Sequence, residues 1–124
     1  MEGLTFDTGA LIALERKRHR MRKVVDVATR DGVEITVPVG VIAEWWRGAS
    51  ALRDLVRRMV RVEPMDEHLA LLAGEALARV AGSSVIDAIV MASAARRGDI
   101  VYTSDYDDLA RLQAEFPAVR VLSV

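Results

Sequence analysis

A chain of 124 residues with no cysteine and 52% hydrophobic residues is long enough to bury one core without disulfides. Its 17 basic and 18 acidic side chains leave a formal net charge of −1, which excludes a protein that coats nucleic acid by charge alone. No apolar run reaches the length of a membrane-spanning helix, the opening Met1-Glu2-Gly3-Leu4 lacks a basic signal region, and the absence of cysteine suits a reducing compartment. Residues 1–124 are therefore expected to form a single cytoplasmic domain.

Leu4-Thr5-Phe6 reads as a short first strand, and Thr8 as a cap for a helix from Ala10 to about Arg16. Met21, Val24, Val25 and Ala28 recur at helical spacing and mark a second helix, which Asp31-Gly32 ends. Glu34 to Val37 is β-branched and reads as a strand stopped by Pro38. Val41 to Trp46 is a short helix. Leu52, Leu55, Val56, Met59 and Val60 form the apolar stripe of another, with Arg53, Arg57, Arg58 and Arg61 on its opposite face. A brief edge strand is expected near Pro64, and Leu69 to Val80 is a helix rich in Ala and Leu. Ser84-Val85-Ile86-Asp87 has the spacing of a capping box and opens a helix to about Arg97, apolar nearly all round and so largely buried. Ile100 to Tyr102 is a strand, Tyr106 to Glu115 a last helix, and Val119 to Leu122 a last strand. Strands alternating with helices predict an α/β fold of three layers, a mostly parallel sheet of four to five strands flanked by helices.

Four acids fall where such a sheet would gather them. Asp7 follows the first strand and Asp105 follows Ile100-Val101-Tyr102-Thr103-Ser104, so both sit at carboxyl strand ends, where open parallel sheets bind ligands. Glu44 lies in the apolar segment Val39-Gly40-Val41-Ile42-Ala43, and Asp87 opens the buried helix. Each also has an ordinary reading. Asp7, Asp87 and Asp105 can serve as helix caps or offset a helix dipole, and Glu44 can pair with Arg47. Acids that converge repel one another unless they share protons or bind a cation. With oxygen donors and no cysteine, the matching cation is Mg²⁺, with Mn²⁺ able to substitute.

The order and spacing of these blocks resemble the PIN-domain family, in particular the VapC-type toxins of bacterial toxin–antitoxin pairs. The blocks are Leu4-Thr5-Phe6-Asp7-Thr8-Gly9-Ala10, the Glu44 segment, Val85-Ile86-Asp87-Ala88, and Thr103-Ser104-Asp105-Tyr106-Asp107-Asp108. The resemblance implies a PIN-like fold and a metal-dependent endoribonuclease that hydrolyses RNA phosphodiester bonds. It implies that Asp7, Glu44, Asp87 and Asp105 are catalytic and hold one or two divalent ions. Asp108 matches a further, secondary acid, and Asp107 is not distinguished from it by sequence. Thr8, Thr103 and Ser104 look like the hydroxyl neighbours that orient the carboxylates. The expected partners are RNA, a cognate VapB-type antitoxin and a second copy of the chain.

Fifteen of the 17 cations are arginine, and six positive charges fall between Arg16 and Lys23. That segment, or the Arg53/Arg57/Arg61 face, can hold an RNA backbone, and either can equally be a solvated face. His19 is placed in a basic loop and His68 at a helix start, both in solvent. Trp45 and Trp46 cannot both face one core, so one is expected buried and the other exposed in a groove, for base stacking or a partner's helix. Rival classes lack their signatures. There is no Walker A loop, no late lysine for a receiver domain, and no second Asp after Asp7 for a dehalogenase-like phosphatase. A PIN-like module that only binds RNA or protein is the remaining alternative.

Overall fold

The computed structural model describes residues 2–124. Five strands, β1 (Leu4–Phe6), β2 (Ile35–Pro38), β3 (Arg61–Glu63), β4 (Ile100–Thr103) and β5 (Arg120–Ser123), form one sheet in the order β3-β2-β1-β4-β5. Every neighbouring pair is parallel; Leu4 stands beside both Ile35 and Ile100, and Phe6 beside Tyr102. The expected sheet is thus present, with all five strands parallel. Its strand order reverses direction beside β1. After β3 the chain crosses back to place β4 on the other side of β1, which makes the carboxyl ends of β1 and β4 a topological switch point.

Seven helices connect and cover the strands: α1 (Thr8–Glu15), α2 (His19–Asp31), α3 (Val39–Trp45), α4 (Ala51–Met59), α5 (Glu67–Arg79), α6 (Val85–Arg97) and α7 (Tyr106–Leu112). Side chains alternate across a strand, so Thr5 and Phe6 face opposite sides. Thr5 meets Arg97 of α6, whereas Tyr102, level with Phe6, borders Val24 and Val27 of α2. The sheet is therefore the middle of three layers. The interior is aliphatic, as the scarcity of aromatics requires; Phe6, Leu11, Met21, Val37, Met91 and Val101 are among its fully buried members. Helix α6 buries every residue from Ala88 to Ala94.

Boundaries shift for local reasons. Asp7, not Thr8, caps α1, so the helix starts two residues earlier than Ala10. Pro38 closes β2 and its fixed φ of −61° leads directly into α3, which begins at Val39 rather than Val41. His19 lies in the first turn of α2, not in a loop. Helix α7 stops at Leu112, short of Glu115. Helices α2 and α6 end in left-handed glycines, Gly32 and Gly98, whereas α1 ends with Lys17 at φ 56°. A left-handed lysine costs about 1 kcal/mol more than glycine there.

A polar knot is buried around the last turns of α6. The Arg97 guanidinium donates from Nε to Asp99 (2.9 Å) and from Nη2 to Thr5 (2.8 Å) and Ser93 (2.9 Å), and it also pairs with Glu63. Arg96 adds a second cation, 3.3 Å from Glu63 and 2.8 Å from Asp66.

Candidate active site at the carboxyl end of the sheet

Asp7 leaves β1 at the switch point and is almost fully enclosed, with 4% of its surface exposed. Its Oδ1 accepts the Ala10 N–H at 2.9 Å, which is the helix cap, and the Thr103 hydroxyl bonds to the same carboxylate. Burial nevertheless pushes its pKa from 3.8 up to about 6, against those two hydrogen bonds, and the charges of Asp87 and Asp105 add to the rise. Capping therefore does not exhaust Asp7, because the electrostatic effect of its neighbours remains.

Asp87 is the third residue of α6. Ser84 performs the cap, its Oγ accepting the Asp87 N–H at 3.0 Å, so the carboxylate is left free of that task. Burial raises the Asp87 pKa, the Ser84 bond opposes this, and the charges of Asp108, Asp105 and Glu44 raise it further. Asp105 occupies the cap position of α7 but makes no side-chain cap bond; its N–H donates to Thr103 Oγ1 at 2.8 Å. Thr103, fully buried, thus ties Asp7 and Asp105 together through one hydroxyl.

Glu44, on α3, does not pair with Arg47, whose guanidinium donates to the Trp46 carbonyl. Its Oε1 accepts the Thr8 hydroxyl at 2.5 Å instead. Asp108 bonds to Arg111 at 3.0 Å and its charge reaches Asp87. Ser104 faces Gly9 so closely that a β-carbon on Gly9 would sit 1.7 Å from Ser104 Oγ. Only glycine admits this approach, and the reading of the sequence did not single it out. Glu15 was likewise missed. It accepts the Trp45 indole N–H at 3.0 Å and pairs with Arg53 at 3.2 Å, joining α1 to α3 and α4 across thirty or more residues. Such a partnership leaves no local signal.

The tryptophans divide differently from expectation. Trp45 is buried, but Trp46 is half-buried, with the Arg57 guanidinium 5.8 Å from its ring centre, and is no open stacking platform.

Asp7, Asp87, Asp105, Glu44 and Asp108 are thus joined through their mutual charge, Asp7 with Asp87 and Asp105, and Asp87 with the other three. Among the described residues no three acidic or imidazole side chains already converge closely enough to hold an ion together. The donor set still fits a hard divalent cation. It is all oxygen, it has no cation beside Asp7 or Asp87 among the described residues, and a cation would offset both the burial that chiefly raises these two acids and the repulsion that adds to it.

The fold recurs in solved structures. A chain of DNA-bound VapBC from Salmonella typhimurium is 17% identical, with a TM-score of 0.74 over 99% of this chain and 98% of that one. A chain of VapBC2 from Rickettsia felis, bound to a promoter DNA fragment, is 10% identical, with a TM-score of 0.79 over 98% of both chains. A chain of FitAcB from Neisseria gonorrhoeae is 18% identical, with a TM-score of 0.61 over 96% of both. No curated protein matches in sequence. The PIN domain family model matches residues 4–115, which include Asp7, Glu44, Asp87, Asp105 and Asp108, and the chain belongs to the PIN-domain family.

Proposed function

We propose that this chain is a metal-dependent endoribonuclease, the toxin of a toxin–antitoxin pair, and that residues 1–124 form its single nuclease domain. The observation that carries the reading is the uncompensated acid cluster at the switch point, with Asp7 held at about 6 by burial and by Asp87 and Asp105. Among the described residues no cation pairs with Asp7 or with half-buried Asp87, whereas the other buried acids, Glu63 and Asp99, both pair with Arg97. Asp7, Glu44, Asp87 and Asp105, with Asp108 as an outer member, are the residues that would hold Mg²⁺ or Mn²⁺. Bound there, the ion would lower the pKa of a water and neutralise charge on a phosphodiester.

The protein's own residues supply position. Thr103 fixes the Asp7 carboxylate and the Asp105 backbone, and Thr8 fixes Glu44. Ser84 caps α6 so that Asp87 stays available. Because Asp7 resists ionisation, loading a cation also expels its proton, and affinity should rise with pH through about 6. Relatives of this fold have been solved as VapBC and FitAcB assemblies, which supports a cognate VapB-type antitoxin as partner. Homodimerisation and a cytoplasmic location belong to the same reading. Among the described residues no helix is long and apolar enough to cross a membrane.

The test is cleavage of pooled total RNA by purified, antitoxin-free protein with Mg²⁺, with Mn²⁺ and with EDTA, beside Asp7→Asn. Discrete cuts that need the metal and vanish in the variant are expected. Folded protein that cuts under no condition would point to the binding-only alternative.

A further inference from the structure

The sequence offered two arginine sets as carriers of an RNA backbone, and the structure treats them differently. On the α4 side three of the four cations are engaged, Arg53 with Glu15, Arg61 with Glu34 and Arg57 over Trp46, and Arg58 alone has no such partner among the described residues. Between Arg16 and Lys23, among the described residues, none of the six cations has an acidic partner, and all six are exposed. Arg16, Arg18, His19 and Arg20 border a groove of about 520 Å³. One side is lined by α1, through Gly9, Ile12 and Ala13, and by Arg16 just past its end. At 1.5 Å per residue that side runs about 10 Å. The far wall includes Ser104, which also borders the hollow formed by Asp105, Tyr106 and Asp108. The cationic groove and the hollow of Asp105 and Asp108, the outer side of the acid cluster, therefore share Ser104 as a common wall.

The turn that carries these cations is held in shape. Arg18 N–H bonds to the Ala13 carbonyl and Lys17 N–H to that of Leu14, closing the end of α1 with Lys17 in the left-handed conformation that the chain gives to glycine after α2 and α6. This fixes Arg16 and Arg18 on the groove while Lys17 and Arg22 border a separate hollow beside Leu55 and Met59.

We infer that this groove is the track of the substrate strand, with Arg16, Arg18 and Arg20 binding backbone phosphates along it. The inference rests on the nuclease reading and adds a place to it. Charge selects the occupant: an exposed, unpaired set of arginines leading to a carboxylate cluster attracts a polyanion at one end and requires a cation at the other. Contacts made outside the acid cluster should act on binding more than on the chemical step.

The experiment compares wild type, the triple variant Arg16→Gln/Arg18→Gln/Arg20→Gln, and Arg58→Gln on α4 as control. Cleavage of a fluorogenic single-stranded RNA is followed with Mn²⁺ at several salt concentrations, and binding of the same RNA by anisotropy in EDTA. The triple variant should raise KM about tenfold or more while kcat stays within about twofold, and the slope of log K against log salt should shrink by about 2. Arg58→Gln should match wild type. Unchanged KM and slope in the triple variant, beside active wild type, would overturn the track and leave the nuclease reading standing. Wild type that neither binds nor cuts would remove both. A decaglutamate peptide lost by the triple variant, with RNA binding unaffected, would assign the groove to an acidic protein segment and overturn the proposal. If the triple variant is unfolded, Arg18→Gln and Arg20→Gln alone should each shrink the slope by about 0.7.

Discussion

Buried carboxylates lie at both ends of α6, Glu63 and Asp99 at one and Asp7 beside half-buried Asp87 at the other, and the two ends are opposites in chemistry. Around its last turns Glu63 is as enclosed as Asp7, and burial pushes its pKa up in the same way. There the Ser93 hydrogen bond and the Arg97 and Arg96 charges outweigh burial and hold the carboxyl below its ordinary value. At the first turn, among the described residues, Asp7 and Asp87 have hydroxyls and N–H groups but no cation beside them; burial raises both, and the charges of other acids add to the rise. One end is finished by the protein's own cations. The other has no such partner, and under the proposed function that is where a cation from outside would bind.

Asp7→Asn sharpens this comparison most. Asparagine can still accept the Ala10 N–H as a cap, so the fold should persist while cleavage falls by about a thousandfold or more, a loss comparable to removing a principal catalytic group. The same variant should be more stable than wild type. An acid raised from 3.8 to about 6 favours the native state only while protonated, so stability falls as pH rises from about 4 through 6. Above that window ionised Asp7 costs at most about 3 kcal/mol, which the asparagine avoids. Urea unfolding in EDTA should show the variant gaining at pH 7.5 and matching wild type near pH 4. A variant less stable at pH 7.5 would contradict the uncompensated assignment. Added Mn²⁺ should stabilise wild type far more than the variant.

At the other end the sign reverses. Arg97→Met leaves Glu63 and Asp99 enclosed without their principal cation and should cost about 3–5 kcal/mol at pH 7. Glu63, being lowered, contributes stability that is present above its ordinary 4.5 and is lost as pH falls through its lower native value. Acid should therefore narrow the gap between Arg97→Met and wild type. A loss below about 1 kcal/mol in urea unfolding would mean that the knot is not compensated as described.

Intermediate in size is Thr103→Val. It removes the hydroxyl that favours ionised Asp7 and that accepts from Asp105. The Asp7 pKa should then exceed 6, and the acid limb of the cleavage pH profile should move upward, with activity at pH 6 falling roughly tenfold for each pH unit of movement. An unmoved acid limb would separate Asp7 from that limb.

The two ends were also unequally legible. Asp7, Asp87 and Asp105 were readable because strand ends and helix starts announce themselves over five or six residues, and the rule for parallel sheets gathers them without knowledge of packing. The knot was not, because Glu63, Arg97 and Asp99 become partners only when β3, α6 and β1 are stacked, and each alone resembles a surface charge. Trp46 failed for a related reason. Spacing foretold that one tryptophan would be buried, but the arginine that covers the other comes from α4, eleven residues on. Long-range compensation is invisible to period and propensity, so the sequence exposes a deficit of charge more readily than its repair.

The smallest effect tests whether Asp87 owes its freedom to Ser84. Ser84→Ala removes the hydroxyl that accepts the Asp87 N–H and should cost about 1 kcal/mol. With the cap gone, the first turn of α6 can recruit the Asp87 carboxylate for its own N–H groups, which competes with any ion, so Mn²⁺ should bind more weakly in the variant. Ser84→Asp restores the cap but adds another negative charge beside the cluster, and near neutral pH it should recover stability while further raising Asp87. Calorimetric Mn²⁺ binding and urea unfolding on the two variants separate these effects. If Ser84→Ala loses stability but binds Mn²⁺ as wild type does, Asp87 is held by the buried body of α6 and not by its cap.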